Sequence, residues 1–128
     1  MLNRERMSVY QRDDEATDLP EAGPPDEFDE YVVVLLTRGS NPPQLDEAAS
    51  NQLQRRHLGH LLELQRRGVL IASGPFSDQP DDSWRGLCLY RVDLDEARRL
   101  AESDPAVRSG RLSVTAFRWF TRPGALQS

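Results

Sequence analysis

No lysine occurs in this sequence: all 16 basic residues are arginine, which excludes a mechanism through a lysine imine. Cysteine occurs once, at Cys88, so neither an internal disulfide framework nor a thiolate zinc site can form. No apolar run approaches the roughly 20 residues of a helical membrane span. The N-terminal stretch lacks the charged-then-apolar pattern of a secretory leader, so a soluble, cytoplasmic protein is expected. The net charge of -5 and the pI near 5.0 argue against nucleic acid or an anionic membrane as partner, since either needs a basic face. Nor is there a phosphate-binding glycine loop, a dinucleotide fingerprint or a nucleophile elbow, and no cofactor is expected.

What is present suits one domain, because 128 residues suffice for one core but not two. Residues 1–27 are acidic and broken by proline, with Asp13-Asp14-Glu15 and Gly23-Pro24-Pro25. They bury too little to offset ordering and read as a disordered tail. The folded domain is expected over 28–122, with a short tail at 123–128. Glu30–Thr37 is β-branched and apolar on both alternating sides, a strand covered on both faces. Asn41 before two prolines suits a helix start, with Asn as the cap and proline in the first turn. The helix is predicted to run to about Arg67, with Leu45, Ala49, Leu53, His57, His60, Leu61 and Leu64 as its apolar stripe. Arg66 and Arg67 suit the carbonyl end of the dipole, and Gly68 stands where a left-handed cap is wanted. Val69–Ala72 then reads as a buried strand, stopped at Gly74-Pro75.

Arg85–Val92 is the third strand, in which Gly86 predicts close approach of another backbone. Asp93 and Glu96 are spaced as a capping box. The short helix they open carries Leu94, Ala97, Leu100 and Ala101 inward and ends before Asp104-Pro105. Leu112–Phe120 alternates as a fourth strand. The order βαββαβ predicts an α+β, ferredoxin-like sandwich with two helices on one face of an antiparallel sheet. Yet Tyr31, Val33 and Leu35 and, alternating with them, Val32, Val34 and Leu36 are both apolar sets. The third strand repeats the pattern with Leu87 and Leu89 against Cys88, Tyr90 and Val92, so the face without helices is apolar too. An apolar face of that size marks an interaction surface, so a homodimer with its sheets face to face is expected.

Several pieces along this order carry a family likeness. They are His57-Leu58-Gly59-His60-Leu61, the run from Gly68 to Phe76, Gly86-Leu87, Asp95-Glu96-Ala97-Arg98, and the run from Ala101 through Asp104-Pro105 to Gly110. With them, Glu30 to about Trp119 resembles the YciI family (YCII-related domain) of dimeric α+β barrels. The resemblance implies a ferredoxin-like dimer with a small-molecule pocket near each helix layer. It also implies a helix histidine paired with the aspartate of the Asp-Pro motif, here His57 and Asp104. The few activities assigned in that family are proton transfers on small cyclic molecules, such as dehydrohalogenation. Ser73 stands where the family more often has alanine, adding a polar group at the pocket rim, and the acidic tail is not part of the family pattern.

Each site residue has two readings. A histidine on a helix's apolar stripe is either packed core or a proton-transfer group. In the second reading, which the likeness favours, His57 is the general base or acid and Asp104 holds its tautomer. Alternatively, Asp104 starts a turn and caps Val107 or its neighbours. His60 lines the pocket or packs under the sheet edge. With Glu63 it gives an HxxHxxE spacing, but no fourth ligand follows and no metal site is expected. Ser73, Gly74, Pro75 and Phe76 are assigned to the pocket wall, with Phe76 or Trp84 facing a flat ligand; a strand-ending turn with one aromatic plug is the alternative. Tyr31 either reaches the pocket or edges the core. Cys88 reads as a small buried hydrophobe. Arg55-Arg56, Arg66-Arg67 and Arg98-Arg99 read as solvated helix faces paired with Glu63 and Glu96.

Two functions follow. One is a cofactor-free lyase or isomerase, dehydrohalogenase-like, acting on a small cyclic molecule through His57 and Asp104. The other is a non-catalytic small-ligand-binding or interaction dimer. Geometry separates them: a His57–Asp104 hydrogen bond in an open cleft supports the enzyme, and a sealed His57 supports the module.

Overall fold

In the computed structural model, which describes residues 19–21 and 27–126, the stretch richest in valine and leucine becomes the central strand β1, Asp29–Arg38. Most of the expected acidic tail (1–27), and the last two residues, lie outside the described residues. Along the chain come α1 (Glu47–Arg66), β2 (Leu70–Pro75), β3 (Trp84–Tyr90), α2 (Leu94–Glu102), the single turn α3 (Pro105–Arg108) and β4 (Leu112–Thr121). The strands make one antiparallel sheet in the order β2-β3-β1-β4. Both α1 and α2 pack on the side of Val32, Val34 and Leu36, so the fold is the expected α+β, ferredoxin-like sandwich.

The start of α1 departs from expectation. The helix begins at Glu47, and its cap is Asp46, whose Oδ1 accepts from the Ala49 N–H at 2.8 Å. Asn41 does not cap it: a residue before proline is pushed away from helical dihedrals, so the run through Pro42-Pro43 stays extended. Leu45 and Ala49 are consequently exposed and drop out of the stripe, leaving Leu53, His57, Leu61 and Leu64 buried. The end of α1 follows its chemistry closely. Gly68 adopts φ +79°, its N–H donates to the Gln65 carbonyl, and the Val69 N–H donates to that of Leu64, a Schellman closure. The chain therefore turns directly from the helix into β2.

At α2, Asp93 accepts from the Glu96 N–H at 2.8 Å, but the reciprocal half of the capping box does not form. The Glu96 carboxylate instead receives two bonds from Arg99, at 2.9 and 2.6 Å, because a guanidinium fork matches a carboxylate better than a lone amide does. On the inner side of the sheet, Val32, Tyr90, Leu64, Leu70, Ala97 and Leu100 form the main core. On the outer side, Tyr31, Val33 and Leu89 form a second, smaller cluster, and Leu126 packs on it. Residues 122–126 are thus folded back, with the Gly124 N–H donating to Asp29 Oδ2 at 2.8 Å, and are not a free tail. Phe117 and Trp119 on β4 remain exposed beside this cluster.

Candidate active site

His57 lies on the buried side of α1, one turn after Leu53 and one before Leu61. Asp104 lies at the N-cap of α3, where Pro105 at the first helical position suits a fixed φ. The two meet at 2.7 Å, Nδ1 to Oδ2, across 47 residues of chain. Asp104 is 2% exposed. Its other oxygen accepts from the Ala106 N–H at 2.9 Å, so both carboxylate oxygens are used. The two readings of Asp104 do not compete: it caps α3 and holds His57 at the same time.

A carboxylate only accepts, so Nδ1 carries the hydrogen and donates it, leaving the lone pair of the neutral ring on Nε2. Nε2 has no hydrogen-bond partner among the described residues. Among the described residues no sealed side-chain nitrogen or oxygen lacks one, so Nε2 is open to solvent. His57 also lines a cleft of about 320 Å³. That volume is at the lower end of the roughly 300–1,000 Å³ of small-molecule sites.

Gln54, Leu58 and Leu61 of α1 form one wall of this cleft, and Ser73, Gly74 and Pro75 of β2 form another. Residues 85–88 of β3, with Leu36, Ala106, Arg111 and Leu112, complete it. Ser73 arrives there through an irregularity in pairing. Leu70 opposes Tyr90, but Ala72 opposes Leu89 and Ser73 opposes Cys88, so Ile71 is an extra residue. Such a bulge reverses the alternation beyond it. Without it, Ser73 would project to the outer face.

Of the expected pocket residues, Ser73, Gly74 and Pro75 line the cleft, whereas His60 and Phe76 do not. His60 Nε2–H donates to the Leu100 carbonyl at 3.1 Å and so ties α1 to α2. Three residues turn a helix by about 300°, enough to aim the second histidine at the neighbouring helix. Glu63 is exposed and lies 3.8 Å from Arg66, so His57, His60 and Glu63 do not converge. Phe76 sits past the end of β2, its N–H donating to the Arg85 carbonyl, and Trp84 opens β3 outside the cleft. Tyr31 belongs to the outer cluster, across the sheet.

The sequence reading missed Gln54, Arg85 and Arg111. The available signal was glycine: Arg85 precedes Gly86 and Arg111 follows Gly110. A Cβ on Gly86 would lie 2.8 Å from the Gly74 carbonyl oxygen, which is the backbone approach expected there. Cys88 lines the cleft floor, and its thiol is pushed up to about 12, first by burial and then by the Asp104 charge. Burial also pushes the Tyr90 hydroxyl up, with Cys88 and Asp104 acting in the same direction. Both groups stay protonated at neutral pH.

Among solved structures, the chain is similar to the 5-chloro-2-hydroxyhydroquinone dehydrochlorinase TftG of Burkholderia phenoliruptrix AC1100, in complex with 2,5-dihydroxybenzoquinone. Identity is 21% and the TM-score 0.47, over 68% of this chain and 92% of that one. No curated protein matches it. No helix among the described residues is long and apolar enough to cross a membrane. The model of the YCII-related domain matches residues 32–120, a span holding all four strands but for the ends of β1 and β4, together with His57 and Asp104, and the chain belongs to that family.

Proposed function

We propose that this protein is a cofactor-free enzyme that moves a proton on a small cyclic molecule, as a lyase or isomerase, with His57 as the catalytic residue. One observation carries the reading: a histidine bonded at 2.7 Å to a buried carboxylate lines a cleft of about 320 Å³, with no hydrogen-bond partner on its other nitrogen among the described residues. Nε2 takes a proton from a carbon or hydroxyl of the substrate, and the electron pair left behind shifts into the ring or expels a leaving group such as halide. Asp104 stabilises the imidazolium meanwhile and keeps the ring oriented, so that the same nitrogen can return the proton.

Proton transfer can be followed without knowing the leaving group. Cyclic ketones and halogenated hydroquinones in D₂O are monitored by NMR for exchange or loss of ring protons. Wild-type protein should accelerate at least one of them, and His57→Gln should lower that rate by about 10²–10⁴, the usual contribution of a positioned acid–base group. His57→Gln proceeding at the wild-type rate removes the catalytic reading. Binding without acceleration in either protein favours the non-catalytic ligand-binding dimer.

The working form proposed is a homodimer with outer sheet faces apposed. Phe117 and Trp119 are 47% and 44% exposed on one strand, and aromatic side chains at that exposure suit a second copy. Light scattering at micromolar concentration should give twice the chain mass for wild type and the single-chain mass for Trp119→Asp with Phe117→Asp. A wild-type monomer refutes the dimer.

A further inference from the structure

We infer that the cleft takes an anion, a small ring compound bearing a carboxylate, phenolate or enolate oxygen, held by Arg85 and Arg111. The inference rests on the small-molecule reading of the cleft and adds the charge of what enters it. Both arginines line the cleft, and its lining holds no carboxylate. The nearest buried acid, Asp104, has both oxygens committed to His57 and Ala106.

Neither guanidinium has a carboxylate partner among the described residues. Arg85 Nη1 donates to the Asp82 carbonyl and Arg111 Nη1 to the Ser50 carbonyl, each at a long 3.4 Å. The carboxylate of Asp82 is taken by Arg38 at 2.6 Å. Elsewhere Arg66, Arg98 and Arg99 have acidic neighbours one turn away on their helices. Arg85 is exposed and Arg111 half-buried, both on a cleft without a carboxylate, and an anionic oxygen in it supplies the charge-assisted bonds that no acidic side chain does.

The backbone that carries each arginine is fixed by the fold. At the β1–β3 irregularity Leu36 opposes Gly86 and Thr37 opposes Trp84, so Arg85 is the extra residue, re-aimed by the bulge. Its carbonyl accepts from the Phe76 N–H at 3.0 Å. Arg111 is pinned by the Gly39 N–H, which donates to its carbonyl at 2.9 Å. Gly39 lies so close to Gly110 that a Cβ there would be 1.9 Å from the Gly110 oxygen, and Gly110 itself needs φ +90°. Two glycines are thus given up to hold the Arg111 backbone beside the cleft.

The test uses the full chain and two probes of nearly equal shape, benzoate and benzamide, titrated by calorimetry at low salt. Wild type should bind benzoate about tenfold more tightly than benzamide, the margin of one charge-assisted bond. That preference should shrink in about 0.5 M salt, because the arginines are reached by solvent. Arg85→Gln with Arg111→Gln should bring benzoate down to the benzamide level and leave benzamide unchanged. Equal affinity of wild type for the two probes, including no measurable binding of either, overturns the inference. So does a benzoate preference that survives both substitutions. The two readings fail separately. An inactive protein that prefers benzoate, in wild type and in His57→Gln alike, keeps the anion site and loses the catalytic role. A protein that exchanges protons on neutral rings without preferring benzoate does the reverse.

Discussion

The two ends of the helix–sheet layer differ more than the two helices do. At one end Leu70, Tyr90 and Val32 stand side by side across three strands, all buried. One step along, Ser73, Cys88 and Val34 take their places, and a step further Pro75, Gly86 and Leu36. Side-chain volume on β2 and β3 drops after the first rung, from leucine and tyrosine to serine and cysteine and then proline and glycine, and the cleft under α1 lies where they are small. His57 is on the part of α1 above that space. One end therefore supplies cohesion and the other supplies a site, within one sheet and one helix.

Substitutions at each end measure the contrast. Leu70→Ala removes a side chain that is 2% exposed, and urea titration should show a loss of about 2–5 kcal/mol with cleft binding retained. Gly86→Ala tests the tight contact between β2 and β3 at the hollow end. The added Cβ meets a backbone oxygen at 2.8 Å, β2 and β3 must separate, and the same titration should show a loss of about 1–3 kcal/mol. Ser73→Ala, exposed and at the cleft rim, should move stability by less than about 0.5 kcal/mol. A loss from Ser73→Ala as large as that from Leu70→Ala would erase the distinction.

The gentlest probe is alkali. The Cys88 thiol ordinarily titrates near 9.0 and in the fold is pushed up to about 12, so between those values the folded state holds a proton that the unfolded chain has lost. Stability is then fully present below pH 9.0 and declines as pH rises toward about 12. Denaturant midpoints measured across that range should fall more steeply for wild type than for Cys88→Ala. Parallel slopes would mean that the floor of the cleft is wetter than its burial indicates.

Much of this architecture was legible from residue order. The strand at Glu30–Thr37, the glycine stop at Gly68 and the glycine contact at Gly86 each depend on local chemistry, and each occurs where that chemistry puts it. Legibility ended where a long-range contact decides. The proximity of His57 and Asp104 came from family likeness, since no periodicity links positions 47 residues apart. His60 carried the same local signal as His57 and yet faces Leu100, because a helix face acquires meaning only from what packs on it. The early helix start failed for a local reason, since a proline pair resists the turn that an asparagine cap invites. The fold-back of Leu126 onto Tyr31 and Val33 has no sequence signature beyond one leucine near the end.

By itself, then, the sequence determined the elements, their order and the apolar character of both sheet faces, because dihedral preference and hydrophobic period act within a few residues. Only the tertiary structure decided which strand positions face the helices, since one extra residue in β2 resets the alternation and brings Ser73 to the cleft, and Arg85, the extra residue of β3, lines it as well. A bulge forms where two strands pair, and neither strand carries the partner's register in its own residues.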